Sequence, residues 1–455
     1  MIDVQKATRA LPCFVLALAA CFATTFAQAS TVEAGSCIPT LPHFSTIQAA
    51  VNASPVGGTV DVCPGTYAEQ VMITNKLTLV GVLSGTSDAA VIVPPLGGLV
   101  QNGTDIFGNP VAAQIFVAST TGAVVIEKLT VDATGNNLAG CGAPTLEGIY
   151  YQNTSGTITE NAVRNEYQTD FADYGGCQNG LAINVESTSS SNTITISNNS
   201  VRAYQKNGIT ATGASMGAGS LGPAVTISGN YIVGMAATAM NWISSPGAAE
   251  NGVQIGFGAT GSVSTNTVLN NIWGPDTNTD TGDAASGILV YSSDGITVSG
   301  NEVGSAQFGI VTVTDSAGFC SNNSGPISCG PADNTTITSN KLVGTEIFDA
   351  IDVCSNGNTV ESNVIFGTAE AGVHADDTCS SGTYSTTSGN NNYITKNSIV
   401  EACAGILVGT GTGNTFSPNT FLDVTNTLVA GDACLSGPAA KMKKQRPSPY
   451  KANRR

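Results

Sequence analysis

The chain reads as an all-β solenoid of stacked parallel coils, and three observations carry that reading. A five-residue phrase recurs nine times between residues 157 and 421. Its copies are TITEN ending at Asn161, TISNN at Asn199, TISGN at Asn230, SVSTN at Asn266, TVSGN at Asn301, TITSN at Asn340, TVESN at Asn363, YITKN at Asn397 and TFSPN at Asn419. Two places after each Asn stands an apolar residue: Val163, Val201, Ile232, Val268, Val303, Leu342, Ile365, Ile399 and Phe421. A small residue followed by an aliphatic one precedes every copy: Gly148-Ile149, Gly180-Leu181, Gly208-Ile209, Gly252-Val253, Gly287-Ile288, Gly309-Ile310, Ala350-Ile351, Gly372-Val373 and Gly405-Ile406. The Asn-to-Asn spacings run from 22 to 39 residues, so the unit is the 22-residue coil and the longer spacings are that coil with loops inserted. Self-similarity at such a period is the signature of a repeat architecture.

Each coil then holds a strand that begins at the Gly-Ile pair, a turn, a strand that ends at the Asn, and a third strand after it. No room remains for helices of ten or more residues. The aliphatic positions stack coil on coil into one core, and an inward Asn repeated at one corner can hydrogen-bond the Asn above and below it. A position that every coil needs equally is scaffold rather than chemistry. The abundance of Gly, Ser, Thr and Asn, which in an aperiodic chain reads as disorder, is what tight corners require.

From the N-terminus, residues 1–29 read as a secretory signal peptide. Lys6 and Arg9 precede an apolar run from Leu11 to Ala20, and Ala27-Gln28-Ala29 offers a small-x-small cleavage site. The competing reading is a lipoprotein box, Leu18-Ala19-Ala20-Cys21, with Cys21 as the lipidated first residue. Residues 30–76 form an N-terminal cap and first strand. Ser45 is the expected helix cap, with Ile47, Ala50 and Val51 on one helix face, followed by a Gly-Gly turn. Residues 77–428 form the solenoid and 429–455 a C-terminal cap with a basic, disordered tail. No later apolar stretch is long enough to cross a membrane.

The segment FSTIQAAVNASPVGGTVDVCPGTYAEQVMITNKLTLVG at 44–81, taken with the repeats, resembles the right-handed parallel β-helix proteins of the pectate lyase-like superfamily. The resemblance covers roughly residues 44–428 and implies a right-handed parallel β-helix whose open end is plugged by a short capping helix. A fold of this kind does not itself name an activity.

Ten cysteines remain after residue 20 once Cys21 is set aside as leader or anchor, an even number suited to an oxidising compartment. The β-helix register predicts five structural disulfides: Cys37 with Cys63, Cys141 with Cys177, Cys320 with Cys329, Cys354 with Cys379, and Cys403 with Cys434. The formal charge is −16, and without the leader and the tail, 7 basic face 31 acidic residues. A body this acidic will not seek nucleic acid or anionic lipid.

By the period of two, the residue after the first aliphatic of each Gly-Ile strand points outward. That column reads Tyr150, Ala182, Thr210, Gln254, Leu289, Val311, Asp352, His374 and Leu407. In the lyases and hydrolases the chain resembles, this face carries the substrate groove. Asp352 and His374 are one coil apart, so their Cβ atoms should lie about 5 Å apart, with Asp376 nearby. A His held by a carboxylate suits general acid or base work near neutral pH, whereas the competing reading is an exposed ion pair. Trp242 and Trp273, with Tyr150 and Tyr291 as companions, are expected to stack on sugar faces. In the loop after Trp273, Asp276, Asn278, Asp280 and Asp283 place oxygen ligands as calcium requires, without the downstream Glu of an EF-hand.

Two functions follow. The first is a secreted protein that binds an extracellular polysaccharide and modifies it by lyase, glycoside hydrolase or epimerase chemistry. The second is a non-catalytic glycan-binding, adhesin or structural β-helix. The Asn-Thr-Asp and Gly-His-Gly blocks of polygalacturonase-like hydrolases and the Asp-Pro-His-Glu block of alginate epimerases are absent, leaving only the Asp376-Asp377 pair. A polyuronate substrate is disfavoured by the scarcity of Lys and Arg in the body unless calcium bridges its carboxylates.

Overall fold

The computed structural model describes residues 31–85, 88–118, 120–170, 177, 179–214, 222–235, 250–272, 285–314, 332–345, 348–375 and 389–430. The leader, the basic tail, Trp242, Trp273, Asp376 and the expected calcium loop at 276–283 lie outside them, as do Cys320, Cys329, Cys379 and Cys434. Among the described residues the chain folds as a right-handed parallel β-helix. One hydrogen-bonded sheet has 13 strands and a second has 22. Every strand pairing is parallel except that of Gly103–Thr104 with Pro110–Ala118, which is antiparallel.

The first sheet carries the strand before each of the first eight repeated Asn, for example Gly156–Thr159, Thr193–Ser197 and Ala224–Ser228. Their inward residues are in register, Ile158 on Ile196 on Ile227 on Val263, and all are fully buried. The larger sheet contributes two further rows. One follows the Asn, with Val163 on Val201 on Ile232; the other begins at the Gly-Ile pair, with Ile209 on Val253 on Ile288. Three aliphatic columns therefore meet in one continuous core. At Gly208 packing requires the glycine: a β-carbon there would stand 2.7 Å from the Gly252 carbonyl of the next coil and 2.7 Å from Ile232 Cγ2.

The nine Asn form an unbroken ladder. Each side-chain amide donates to the Oδ1 of the next, from Asn161 to Asn199 at 3.1 Å through to Asn397 to Asn419 at 3.1 Å. Each also donates to a carbonyl of the coil before, as Asn230 does to Ile196 at 2.9 Å. The residue before the Asn stands at positive φ in eight copies, between 55° and 66°, although only Gly229 and Gly300 among them are glycine. Holding Glu160, Thr265 or Lys396 there costs about 1–2 kcal/mol each, which the ladder's buried bonds offset.

The helix Ile47–Ala53 buries Ile47, Ala50 and Val51 against the first strands. Its cap is Thr46, one residue later than expected: the Thr46 hydroxyl accepts from the Ala49 amide at 3.1 Å. Glu69 completes the N-terminus by accepting from Ile47 N and Gln48 N at 2.8 and 2.9 Å. Cys37–Cys63 and Cys141–Cys177 are disulfides, as the register predicts. Cys354 and Cys403 are disulfide-bonded as well.

One register expectation is corrected. Ile149 pairs with Ile183 and Tyr150 with Asn184, so the column member in that coil is Asn184 rather than Ala182.

Candidate functional site

The outward column is not the open groove that its parity implies. Tyr150, Asn184, Thr210, Leu289, Val311, Asp352, His374 and Leu407 are all buried. Part of the cover comes from the segment 98–109, which crosses the N-terminal coils. Its Thr104 carbonyl accepts from Gln152 Nε2 at 2.6 Å, its Ile106 amide donates to Glu186 Oε2 at 3.1 Å, and Phe107 packs edge-on to Phe257 at 6.3 Å.

This cover removes two expected sugar platforms. The Tyr150 ring is fully buried and stacked on Phe116 at 5.0 Å, and the Tyr291 ring is buried edge-on to Phe257 at 5.1 Å. Tyr150 instead joins a buried polar network that single-residue reading missed. Its hydroxyl donates to Glu186 Oε2 at 2.8 Å, and Asn184 Nδ2 donates to Glu147 Oε1 at 3.0 Å and Glu186 Oε1 at 3.3 Å. Burial, reinforced by Glu186 and Glu147, pushes the Tyr150 phenol far above its ordinary value, so it stays a donor. Because Glu186 also takes the Ile106 amide, the network clips the covering segment to the coils.

A second polar cluster lies among the C-terminal coils. Asp352, in the strand Ile351–Cys354, is in direct register with His374 in Val364–Ala375. The carboxylate that holds the ring, however, is Asp349: its Oδ2 is 3.0 Å from His374 Nδ1, and its Oδ1 accepts from the Ala371 amide at 3.1 Å. Asp349 precedes the strand, at a corner where alternation says nothing about facing. The pair is buried, with side-chain exposure of 5% for His374 and 0% for Asp349, which removes the exposed ion-pair alternative. A carboxylate acceptor at Nδ1 sets that nitrogen as the protonated one and puts the basic lone pair on Nε2. Asp352 Oδ1 lies 3.6 Å from Cys354 Sγ, a packing contact, since a disulfide sulfur has no hydrogen to donate. One ligand atom each from Asp349, Asp352 and His374 lies within 4.8 Å of the others.

Two more acids are buried at the corners between rows. Glu166 is fully buried and neither carboxyl oxygen has a hydrogen-bond partner among the described residues. Burial, with the Asp132 charge adding to it, holds its carboxyl well above the ordinary 4.5. Glu250 is also raised by burial, although the Met235 and Ile272 amides pull the other way. A folded value above the unfolded one means that the folded chain keeps a proton which the unfolded chain releases. The stability associated with that proton is therefore present below pH 4.5 and is lost as pH rises above it. Glu166→Gln should melt with the wild type near pH 4 and above it near pH 8, with a shallower decline between; thermal melts across that range measure this. Coincident wild-type and variant curves at every pH would remove the buried-proton account.

Residues 260–433 match the family model of NosD, described as a periplasmic copper-binding protein. No curated protein matches the chain in sequence. The Dettilon tailspike protein superposes with a TM-score of 0.52 at 15% identity, over 88% of this chain and 68% of that one. The DFA-IIIase of Arthrobacter chlorophenolicus A6 gives 0.42 at 14% identity, over 87% and 82%. A pectin methylesterase in complex with a hexasaccharide gives 0.33 at 11%, over 72% and 82%. The tailspike likeness supports the β-helix fold and nothing finer. As for a metal, one imidazole and two carboxylates form an N/O donor set that fits a divalent ion of copper(II) or zinc type. Thiolate ligation has no donor among the described cysteines, all six of which are in disulfides.

Proposed function

We propose that this protein works outside the cytoplasm as a polysaccharide-binding β-helix, and that Asp349, Asp352 and His374 are its reactive centre. The observation that carries the reading is the buried Asp349–His374 contact at 3.0 Å beside Asp352, in a column whose flanking members Val311 and Leu407 are apolar. Two ionisable carboxylates and an imidazole are costly to bury and poor packing material, so chemistry or binding is the economical reason for them. The imidazole, held through Nδ1, offers Nε2 as a base, and Asp352 is the second carboxyl within reach.

The disulfides support an oxidising compartment, as does the periplasmic description of the family matched over residues 260–433. Among the described residues, the rings open to a sugar face are not Tyr150 and Tyr291 but Tyr231, Phe366 and Tyr393, which are 46%, 45% and 42% exposed. Phe366 stands on the strand that also carries His374.

The burial of the centre itself favours a second reading, a glycan-binding protein without turnover. Purified protein incubated with neutral and acidic polysaccharides separates the two, scoring retention on the glycan and release of reducing or unsaturated ends. Released ends that disappear in Asp352→Asn carry the first reading. Retention without products carries the second, and neither retention nor release on any glycan would end both.

A further inference from the structure

The C-terminal cluster has the makings of a metal site as well as of a base. Asp349, Asp352 and His374 are each more than nine-tenths buried, and one ligand atom of each lies within 4.8 Å of the other two. Sheet register fixes Asp352 beside His374, and the Ala371 amide orients Asp349 from the other side. We propose that these three side chains bind one divalent transition-metal ion, through one imidazole nitrogen and two carboxylate oxygens. The inference rests on the reading of this cluster as the functional centre and deepens it by naming what the centre holds.

Donor chemistry points the same way. Calcium takes six to eight oxygens and gains little from a lone imidazole, while zinc and copper(II) take nitrogen and carboxylate together. Two of the three side chains, Asp352 and His374, stand on neighbouring strands, and Asp349 stands at the corner before the first of them. The other group of metal-binding residue types among the described residues, Glu33 with Cys37 and Cys63, is ruled out because its two sulfurs are joined to each other.

The test uses the full chain stripped with chelator and titrated calorimetrically with Zn2+ and separately with Cu2+. One ion per chain is expected. His374→Ala should weaken binding at least about 100-fold, the upper end of what losing a supporting partner alone costs, and Asp352→Asn should weaken it as well. His43→Ala should bind as the wild type does, because His43 is exposed at the far cap. Copper-loaded protein should show nitrogen coupling from a single imidazole in its electron paramagnetic resonance spectrum, lost in His374→Ala and kept in His43→Ala. If His374→Ala does not fold, His374→Gln with Asp352→Asn reads the same loss, each checked by circular dichroism and by the absence of a metal-induced rise in melting temperature.

Binding that is undiminished in His374→Ala and Asp352→Asn, or that vanishes in His43→Ala, overturns the proposal. The two readings fail separately. No ion uptake, with glycan products that vanish in Asp352→Asn, removes the metal and keeps the centre. Ion uptake without any glycan retention keeps the metal and removes the polysaccharide.

Discussion

Replacing His374 by alanine is expected to lower the rate of glycan product release by about 10²–10⁴-fold, the range a positioned acid or base contributes. Retention of the glycan should change little, because the cluster meets the reacting atoms while the exposed rings hold the chain. The loss should therefore fall on kcat rather than on KM. Asp349→Asn is the sharper variant. It is close to isosteric and keeps an oxygen for the Ala371 amide, but it replaces a carboxylate facing Nδ1 at 3.0 Å with a group that can turn an N–H towards the ring. The tautomer would then reverse and Nε2 would carry the hydrogen, so a shape-preserving change should cost activity on the scale of His374→Ala. Folding is monitored by the melting temperature of each variant. Wild-type rates in both variants would show that the cluster only packs.

The same cluster shows where sequence and structure part company. Asp352 and His374 could be paired from the sequence because the repeat is a ruler: 22 residues in a coil without insertion place them in register. Asp349 could not be assigned as the partner, since it lies at a corner, outside the strand in which alternation predicts facing. The misassigned coil at 181–187 has a different cause. Leu181, Ile183 and Val185 are all apolar on one parity, so a slip of two residues leaves inside and outside unchanged and only the cross-coil partner wrong. The burial of the outer column was not legible at all. Over the N-terminal coils it depends on the segment 98–109 reaching Glu186 and Phe257, contacts between residues 80 or more apart in sequence that no periodicity encodes. The positive φ before each Asn was hidden for a simpler reason, because six of the eight residues there are not glycine.

The largest stability effect belongs to the ladder that made the sequence readable. Asn301→Ala removes four side-chain bonds at once. Oδ1 accepts from Asn266 N and Nδ2, both at 3.0 Å, while Nδ2 donates to Val263 O at 2.9 Å and to Asn340 Oδ1 at 3.0 Å. The neighbours cannot make good this loss equally. The Asn266 amide still reaches the Ile227 carbonyl, and Asn340 Oδ1 still takes the Asn301 backbone N–H, but the Asn266 backbone N–H is left buried without its acceptor. Orphaned buried groups cost about 1–3 kcal/mol each, and the left-handed Gly300 turn loses the contact that fixed it. A destabilisation of about 3–5 kcal/mol is expected, read as a lower denaturant midpoint. Asn419→Ala is the control. It ends the ladder and is only half-buried, so water can replace much of what its side chain supplied. Its cost should be less than half that of Asn301→Ala. Equal costs at the two positions would mean that each Asn merely closes its own turn, and that the stacking of one on the next contributes nothing of its own.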